Sequence, residues 1–566
     1  MIDINDWRHY SETTLMDFIK LYDNNPQSLR KVEEAYGFAY DKHKNQRPRA
    51  SGEPYITHPV AAANFLAIMR MDIDSICAGL LHDTLEDTDA TYPEIRENFG
   101  EDVANLVAGV TKLNRCEDMD LDSLRMQIDV NDPTTLYTLT LKNFVDSMLY
   151  DPRTPIIKGA GDRNHNMLTV GYKTPIKQQE KSRETLEVYA PLMNWYGIYR
   201  VQQLLEDTSF KHLSQQHSYL YNKILMRRNR IKAENKPFLD DILQSIIEEI
   251  RKNIKVVGHY DSADMKRKSE DELLYETILV GDKLSRSRIK HVYGIYDAFR
   301  KMMPEGKDEF SYVDQMVENE EDFEKIHDLR VVKLIMKDEI SCWMARMILC
   351  DMFPPIDKYQ HNYIANPKSN MYQSFHETVS IDGHLVQFQI RTEEQEHRNT
   401  YGFAWELYKY QGENTRERIL EAFKKYPIYS RLVALSENEE IQTLNDYRHI
   451  LDSEVLNVKE ITVTDRNTGR ARAIKEGSTI HDFAYLIAGH DGDHLSKAIV
   501  NDTVYTFRSD EYGNIDFSFN PFYLKLQQGD EIYVEFDENI NCPKPNSDFE
   551  PATSKKLSNT PGEVKE

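Results

Sequence analysis

The 566 residues, of which 40% are hydrophobic and 10% aromatic, exceed what one domain usually holds and carry enough apolar mass for several cores, which excludes wholesale disorder. A net charge of −24 excludes broad non-specific binding of nucleic acid, because a phosphate footprint needs a basic face; a phosphorylated small molecule needs only a local cationic pocket or a metal. Five scattered cysteines (Cys77, Cys116, Cys342, Cys350 and Cys542) without a C-x-x-C pair exclude a disulfide framework and a cysteine zinc site and imply a cytoplasmic location, with neither a signal peptide nor an apolar run of roughly 18–20 residues for a membrane span.

Residues 1–212 read as an all-helical domain. Apolar residues recur at three- and four-residue spacing over 60–69 and 76–81, Pro59 suits a first helical position, and Gly100 suits a helix stop. Residues 213–270 stay helical but become highly charged; the stripes Leu220, Tyr221, Ile224, Leu225 and Phe238, Ile242, Ile246, Ile247, Ile250 predict a small linking bundle whose charges form a solvated face. Residues 271–410 mix helices with strand-like runs at 329–335, 377–381 and 385–390, an α+β domain. A helical connector follows over 411–454. Residues 455–537 are a small β-rich unit with short strands at 461–464, 498–500, 504–507 and 532–536 around one helix at 481–487. Residues 538–566, rich in Pro, Asn, Ser and Lys, read as a disordered tail.

Metal-ligating side chains concentrate in the first domain. The segments are Arg49-Ala-Ser-Gly-Glu-Pro-Tyr-Ile-Thr-His58-Pro59, His82-Asp83-Thr-Leu-Glu86-Asp87 and Asp162-Arg-Asn-His165-Asn166-Met. Residues four apart share a helical face, so His82 pairs with Glu86 and Asp83 with Asp87. So much negative charge in one place repels itself, and a divalent cation removes the conflict. Imidazole plus carboxylate suits Mn²⁺, Fe²⁺ or Zn²⁺, with Mn²⁺ foremost in the absence of thiolates. Such an ion acidifies a bound water and polarises a phosphoryl oxygen, while carboxylates beyond the ligands orient that water or take its proton. A single His-Asp pair on a helix is most often a surface or capping feature. The residues alone leave that and a metal site both open, although His58, His82-Asp83 and Asp162 in one helical domain resemble the HD-superfamily phosphohydrolases.

Longer strings sharpen the resemblance. Gly52-Glu-Pro-Tyr-Ile-Thr-His-Pro59, His82-Asp-Thr-Leu-Glu-Asp-Thr88, Asp162-Arg-Asn-His-Asn-Met167 and Leu186-Glu-Val-Tyr-Ala-Pro191 resemble the hydrolase domain of the RelA/SpoT homologue family. Arg288-Ile-Lys290-His-Val-Tyr-Gly-Ile-Tyr296, Ile326-His-Asp328-Leu, the run Tyr363 to His376 and Gln389-Ile-Arg-Thr392 resemble its α+β nucleotidyltransferase-like synthetase domain. Gly477-Ser-Thr-Ile-His-Asp-Phe-Ala-Tyr485 with Leu526-Gln-Gln-Gly-Asp-Glu-Ile532 resembles its β-grasp-like TGS domain, after which the chain is shorter than long family members. The resemblance implies Mn²⁺-dependent removal of the 3′-pyrophosphate of (p)ppGpp, giving GDP or GTP and placing the chain in the stringent response. His58, His82, Asp83 and Asp162 would hold the ion, Glu86 and Asp87 would activate or position the water, and Arg49, Ser51, Asn166 and Thr169 would contact the nucleotide. Three departures stand out: Ala50 for a usual Lys, Leu168 for a common Arg, and Lys158-Gly-Ala-Gly-Asp162 with one residue more than the usual Lys-Leu-Ala-Asp.

The second domain departs further. The resemblance implies Arg288, Lys290 and Lys368 on ATP and GDP or GTP phosphates, Tyr372 stacked on guanine, Asn370 and His376 lining the nucleotide pocket, and Asp328 on Mg²⁺. The family's Glu-Val-Gln-Ile-Arg-Thr reads Gln387-Phe-Gln-Ile-Arg-Thr392 here. Gln387 thus replaces the second Mg²⁺ carboxylate, and an amide is a poorer Mg²⁺ ligand that cannot act as a base. His361 stands for a usual Lys and Lys333 for a usual Arg, and a Gly-Ile-Ala-Ala-His-Trp string shortens to Gly402-Phe-Ala-Trp405. Synthesis is therefore expected to be weak or absent. The third unit's acidic loop disfavours ribosome or tRNA contact. A bifunctional synthetase/hydrolase, a non-catalytic guanine-nucleotide sensor and an HD phosphohydrolase for another nucleotide are the competing expectations.

Overall fold

A computed structural model of the chain describes residues 7–114, 133–257, 286–410, 412, 414–437, 460–475, 479–488, 494–506, 508–509, 515–516, 522, 524, 526–527 and 530–537. The expected tail over 538–566, all of 258–285 and the 438–459 stretch lie outside the described residues. Two units separate between residues 456 and 457. Among the described residues no helix is long and apolar enough to cross a membrane.

In the first unit, successive helices build one core. Capping residues set their ends: Asn25 accepts from the Gln27 amide ahead of Pro26–His43, and Asp72 accepts from the Ser75 amide ahead of Ile73–Leu81. The Thr57–Ile68 helix begins two residues before Pro59 and is buried on nearly every face, as expected of an apolar helix threaded through a core. Tyr92–Phe99 stops at Gly100, whose φ of +92° suits glycine.

Two stretches wind as π-helix, Ile157–Arg163 and Thr185–Tyr189. A π-turn closes on i+5 rather than i+4 and so takes in an additional residue. The first of these contains the whole Lys158-Gly-Ala-Gly-Asp162 string. Gly161 packs on Ala62 of the Thr57–Ile68 helix.

Residues 215–257 form one helix, Gln215–Val257, rather than a free-standing bundle. Its apolar stripe (Leu220, Ile224, Ile242, Ile246, Ile247, Ile250) shares a second core with the α+β domain. That domain has five strands: β1 (Arg286–Ile289), β2 (Arg330–Met336), β3 (His361–Asn362), β4 (Phe375–Ile381) and β5 (His384–Thr392), in the order β1-β2-β5-β4-β3. Only β2 and β5 run parallel; Val331 pairs with Gln387 and Val332 with Phe388. Both strands are almost wholly buried, which fits a central position in the sheet.

The chain then returns to the first core. Tyr401, Phe403, Trp405, Ile419, Phe423, Ile428 and Leu432 pack there with the N-terminal helices. Gly402, at φ +56°, lets the backbone pass so near Tyr196 that a Cβ would lie 1.9 Å from the Tyr196 carbonyl oxygen. The Phe403 amide donates to that oxygen at 2.9 Å. Residues expected to form only a connector thus complete the first core.

The second unit has strands β6 (Glu460–Asp465), β7 (Arg470–Lys475), β8 (Leu495–Val500), β9 (Thr503–Thr506) and β10 (Glu531–Phe536), with a helix Ile480–Ala488. Their order is β7-β6-β10-β8-β9, with β10 parallel to β6 and antiparallel to β8. Val463, Ile480, Phe483, Leu495, Phe522 and Ile532 form its core.

Candidate metal centre

Distant stretches meet inside the first unit. His58 lies in the first turn of Thr57–Ile68, His82 caps the end of Ile73–Leu81, Asp83 opens the short helix Thr84–Asp87, and Asp162 sits in the π-turn. The helix breaks between His82 and Thr84, so the single face expected for residues 82–87 divides. His82 and Asp83 are buried, whereas Glu86 and Asp87 are exposed.

The donor atoms converge. His58 Nε2 lies 3.1 Å from Asp162 Oδ1 and 3.5 Å from Asp83 Oδ2. His82 Nε2 lies 3.2 Å from Asp83 Oδ1, 3.8 Å from Asp162 Oδ1 and 3.2 Å from His58 Nε2. Ligand atoms of His58, His82 and Asp162 all lie within 4.8 Å of one another.

The outer nitrogens are committed elsewhere. His82 Nδ1 donates to the Gly79 carbonyl at 2.8 Å, and His58 Nδ1 meets His165 Nδ1 at 2.8 Å. A neutral imidazole whose Nδ1 donates outward offers its Nε2 lone pair inward to a metal. The second oxygen of Asp162 is held by the Lys158 ammonium, and the first also receives the Asn166 amide.

Charge in the pocket is poised accordingly. Burial pushes the His58 imidazole down to about 4. Burial opposes charge on His82 too, but Asp83 and Asp162 outweigh it and raise His82 to about 9. Despite burial, His82 holds the Asp83 carboxyl, and Lys158 the Asp162 carboxyl, below the usual carboxylate range. Two ionised carboxylates and two inward-facing imidazoles draw positive charge among them, here as the proton on His82. A divalent cation among them fits this donor set.

A buried ion cluster ties the supports of the two ligand segments together. Arg153 is fully buried; it pairs with Asp72 at 3.2 Å, Asp151 at 2.8 Å and Asp102 at 3.2 Å. Asp72 caps the helix that ends at His82, and Arg153 begins the helical run that reaches Asp162.

Arg49 Nη2 donates to Asn166 Oδ1 at 3.1 Å and Thr169 Oγ1 at 3.3 Å, so these three sequence-predicted residues come together beside Asp162. Ser51 turns instead to Glu53, 3.0 Å away on its own loop.

The α+β domain gathers cations. Lys290 pairs with Asp328, and Lys368 lies over the rings of Tyr363 and Tyr372 at 4.7 and 5.4 Å. The Tyr372 hydroxyl meets His376 Nε2 at 2.8 Å and Arg391 Nη2 at 3.2 Å. Asn370 donates to the Asn194 carbonyl and the Tyr199 hydroxyl, each at 2.8 Å, and Tyr199 sets its ring edge on Tyr372. Asn370 and Tyr372 are therefore turned against helices of the first domain.

Gln387 accepts from Gln389 at 2.8 Å, and Gln389 in turn accepts from Arg391. Buried Glu396 is met by Lys333 at 2.8 Å and by Arg391 and Arg286 at 3.3 Å. Burial, reinforced by Arg391 and Arg288, outweighs Glu396 and draws the Lys333 ammonium down to about 7. Burial also lowers Arg288.

Several residues escaped the sequence: Lys158, His165, Tyr199, Glu396 and Tyr55. Lys158 stands four residues before Asp162, one helical turn away, whereas only the fold brings the Tyr55 hydroxyl to Asp83 and Asp87.

Comparison with known proteins then bears on the whole chain. A family model described as "HD domain" matches residues 35–199, and one described as "Region found in RelA / SpoT proteins" matches 287–414. A guanosine-3′,5′-bis(diphosphate) 3′-pyrophosphohydrolase of Spiroplasma citri is 31% identical over 533 residues, 91% of this chain and 61% of the relative. One of Aquifex aeolicus is 32% identical over 488 residues, 86% and 60%. A GTP pyrophosphokinase of Streptomyces coelicolor is 31% identical over 489 residues, 84% and 50%. The chain thus spans between half and about three fifths of the length of these relatives.

Proposed function

The chain belongs to the RelA/SpoT family, and on that premise we propose that its first domain hydrolyses guanosine 3′,5′-bis(diphosphate) and the pentaphosphate to GDP or GTP and pyrophosphate. The observation that carries this reading is the pair of inward-facing imidazole nitrogens set against two buried carboxylates, with Arg49 and Asn166 beside them. Relatives named as pyrophosphohydrolases supply the substrate class.

His58, His82, Asp83 and Asp162 would hold Mn²⁺. When bound, the ion makes a water more acidic and takes charge off a phosphoryl oxygen. Asp87 and Glu86 orient the attacking water and accept its proton. Arg49, supported by Asn166 and Thr169, faces the nucleotide with a planar cation suited to guanine or phosphate. Water oxygen bonds to the phosphorus on the ribose 3′-oxygen, the P–O3′ bond breaks, and a proton passes to that oxygen.

The second domain is a synthetase-like domain with weak or absent synthesis. Gln387 offers an amide, already bonded to Gln389, where the reaction needs a second carboxylate. Guanine nucleotides remain its proposed ligands. The small second unit is proposed as TGS-like, from its mixed sheet and single helix.

The test is ppGpp turnover by purified protein with Mn²⁺, Asp83→Ala and Asp162→Ala serving as controls. ppGpp binding without turnover would make the chain a sensor; preference for dGTP or a cyclic dinucleotide would move the substrate class. ATP and GDP with Mg²⁺ should yield little ppGpp, and rapid synthesis would overturn that part.

A further inference from the structure

Asp87 is exposed on a four-residue helix, and an exposed carboxylate in water ordinarily samples several rotamers. Here both its side chain and its backbone are tied down. The Tyr55 hydroxyl lies 2.6 Å from Asp87 Oδ2 and 2.8 Å from Asp83 Oδ2. The Gln46 amide donates to the Asp87 carbonyl at 2.7 Å.

Tyr55 is itself fixed from behind. The ring of buried His43 stacks on it, with centroids 4.8 Å apart and planes 22° apart, and His43 Nδ1 meets Gln46 Oε1 at 3.0 Å. His43 ends the Pro26–His43 helix, so the latch is anchored to a core element. Asp83, the carboxylate at the other end of Tyr55's reach, touches both imidazoles.

We propose that Tyr55 is a positioning residue for hydrolysis: its hydroxyl spans Asp83 and Asp87 and holds Asp87 at a set distance from the metal-ligand cluster, with His43 and Gln46 bracing it. The inference deepens the hydrolase reading and rests on it. A carboxylate that takes a proton from an attacking water must stay within hydrogen-bond reach of it, and small misplacements cost large factors in rate. A clamped phenol whose single proton is shared between carboxylates at either end of the short helix meets that demand.

Tyr55→Phe keeps the ring and its stack and removes only the hydroxyl. Its kcat should fall by at least about tenfold, with KM and Mn²⁺ affinity, the latter by titration calorimetry, within about threefold of wild type. In an Asp87→Asn background the same change should alter kcat by less than about twofold, because the two act as one unit. Gln46→Ala should lower kcat in the same direction by less.

Independent, multiplying effects of Tyr55→Phe and Asp87→Asn would overturn the proposal, as would a Tyr55→Phe that raises KM alone or abolishes Mn²⁺ binding. Crystal structures of the Mn²⁺-loaded wild type and Tyr55→Phe provide a readout separate from turnover. The Asp87 carboxylate should move away from Asp83 in the variant, and an unmoved Asp87 would overturn the inference. Wild-type protein that binds Mn²⁺ yet leaves ppGpp intact would defeat the hydrolase reading, while the crystallographic pair would still decide the role of Tyr55.

Discussion

The two polar pockets of the first unit are charged in opposite senses. In the HD domain, buried carboxylates face imidazole nitrogens, with Lys158 pairing Asp162 from behind. In the synthetase-like domain, Lys333, Arg391 and Arg286 crowd a single buried Glu396, and a neutral Gln387 lines the strand beside them. The first sets carboxylate and imidazole donors together and suits a metal cation; the second gathers cations round one carboxylate and suits an anion. One chain thus carries a cluster of metal-ligating side chains and, in its second domain, a cluster of cations round a single buried carboxylate.

The contrast breaks most readily at the metal ligands. Asp162→Ala should lower Mn²⁺-dependent ppGpp hydrolysis by at least about a thousandfold, roughly 4 kcal/mol of barrier, and weaken Mn²⁺ binding in calorimetry. Arg153→Leu should cost about 3–5 kcal/mol of unfolding free energy in urea, because it strands buried carboxylates beneath both ligand-bearing segments. Gln387→Glu would sharpen the comparison from the other side. Returning a carboxylate to β5 should raise ppGpp synthesis from ATP and GDP by about tenfold over the wild-type background, with hydrolysis unchanged.

The smallest effect concerns pH. Folding draws Lys333 from its ordinary value near 10.5 down to about 7, so between these values the unfolded chain binds more protons and stability rises with pH. Thermal melts should show this gain from pH 7 toward 9.5, and Lys333→Met should flatten it.

Much of the HD site was legible because its donors sit in strings with fixed order: His58, His82-Asp83 and Asp162 are recognisable before any folding. The strands at 330–336 and 384–392 were equally legible from their β-branched runs. Tyr55 was not, since an aromatic beside a proline reads as packing and only the fold brings its hydroxyl to Asp83 and Asp87. Nor was the π-turn: the Lys158-Gly-Ala-Gly-Asp162 string could be read, but an assumed period of 3.6 gives no hint that the helix widens there. The homing of residues 402–437 to the first core escaped because an amphipathic stripe announces that it will be buried, not against what.

That homing has a mechanical consequence. The synthetase-like domain is tied to the HD body at several points: the helix leaving His212, the crossing at Gly402 against Tyr196, Asn370 on the Asn194 carbonyl, and His291 on Glu206. A body moored at several points does not swing like a door on one hinge. Tyr196, whose carbonyl oxygen accepts from the Phe403 amide, is one of the points where the two are fastened.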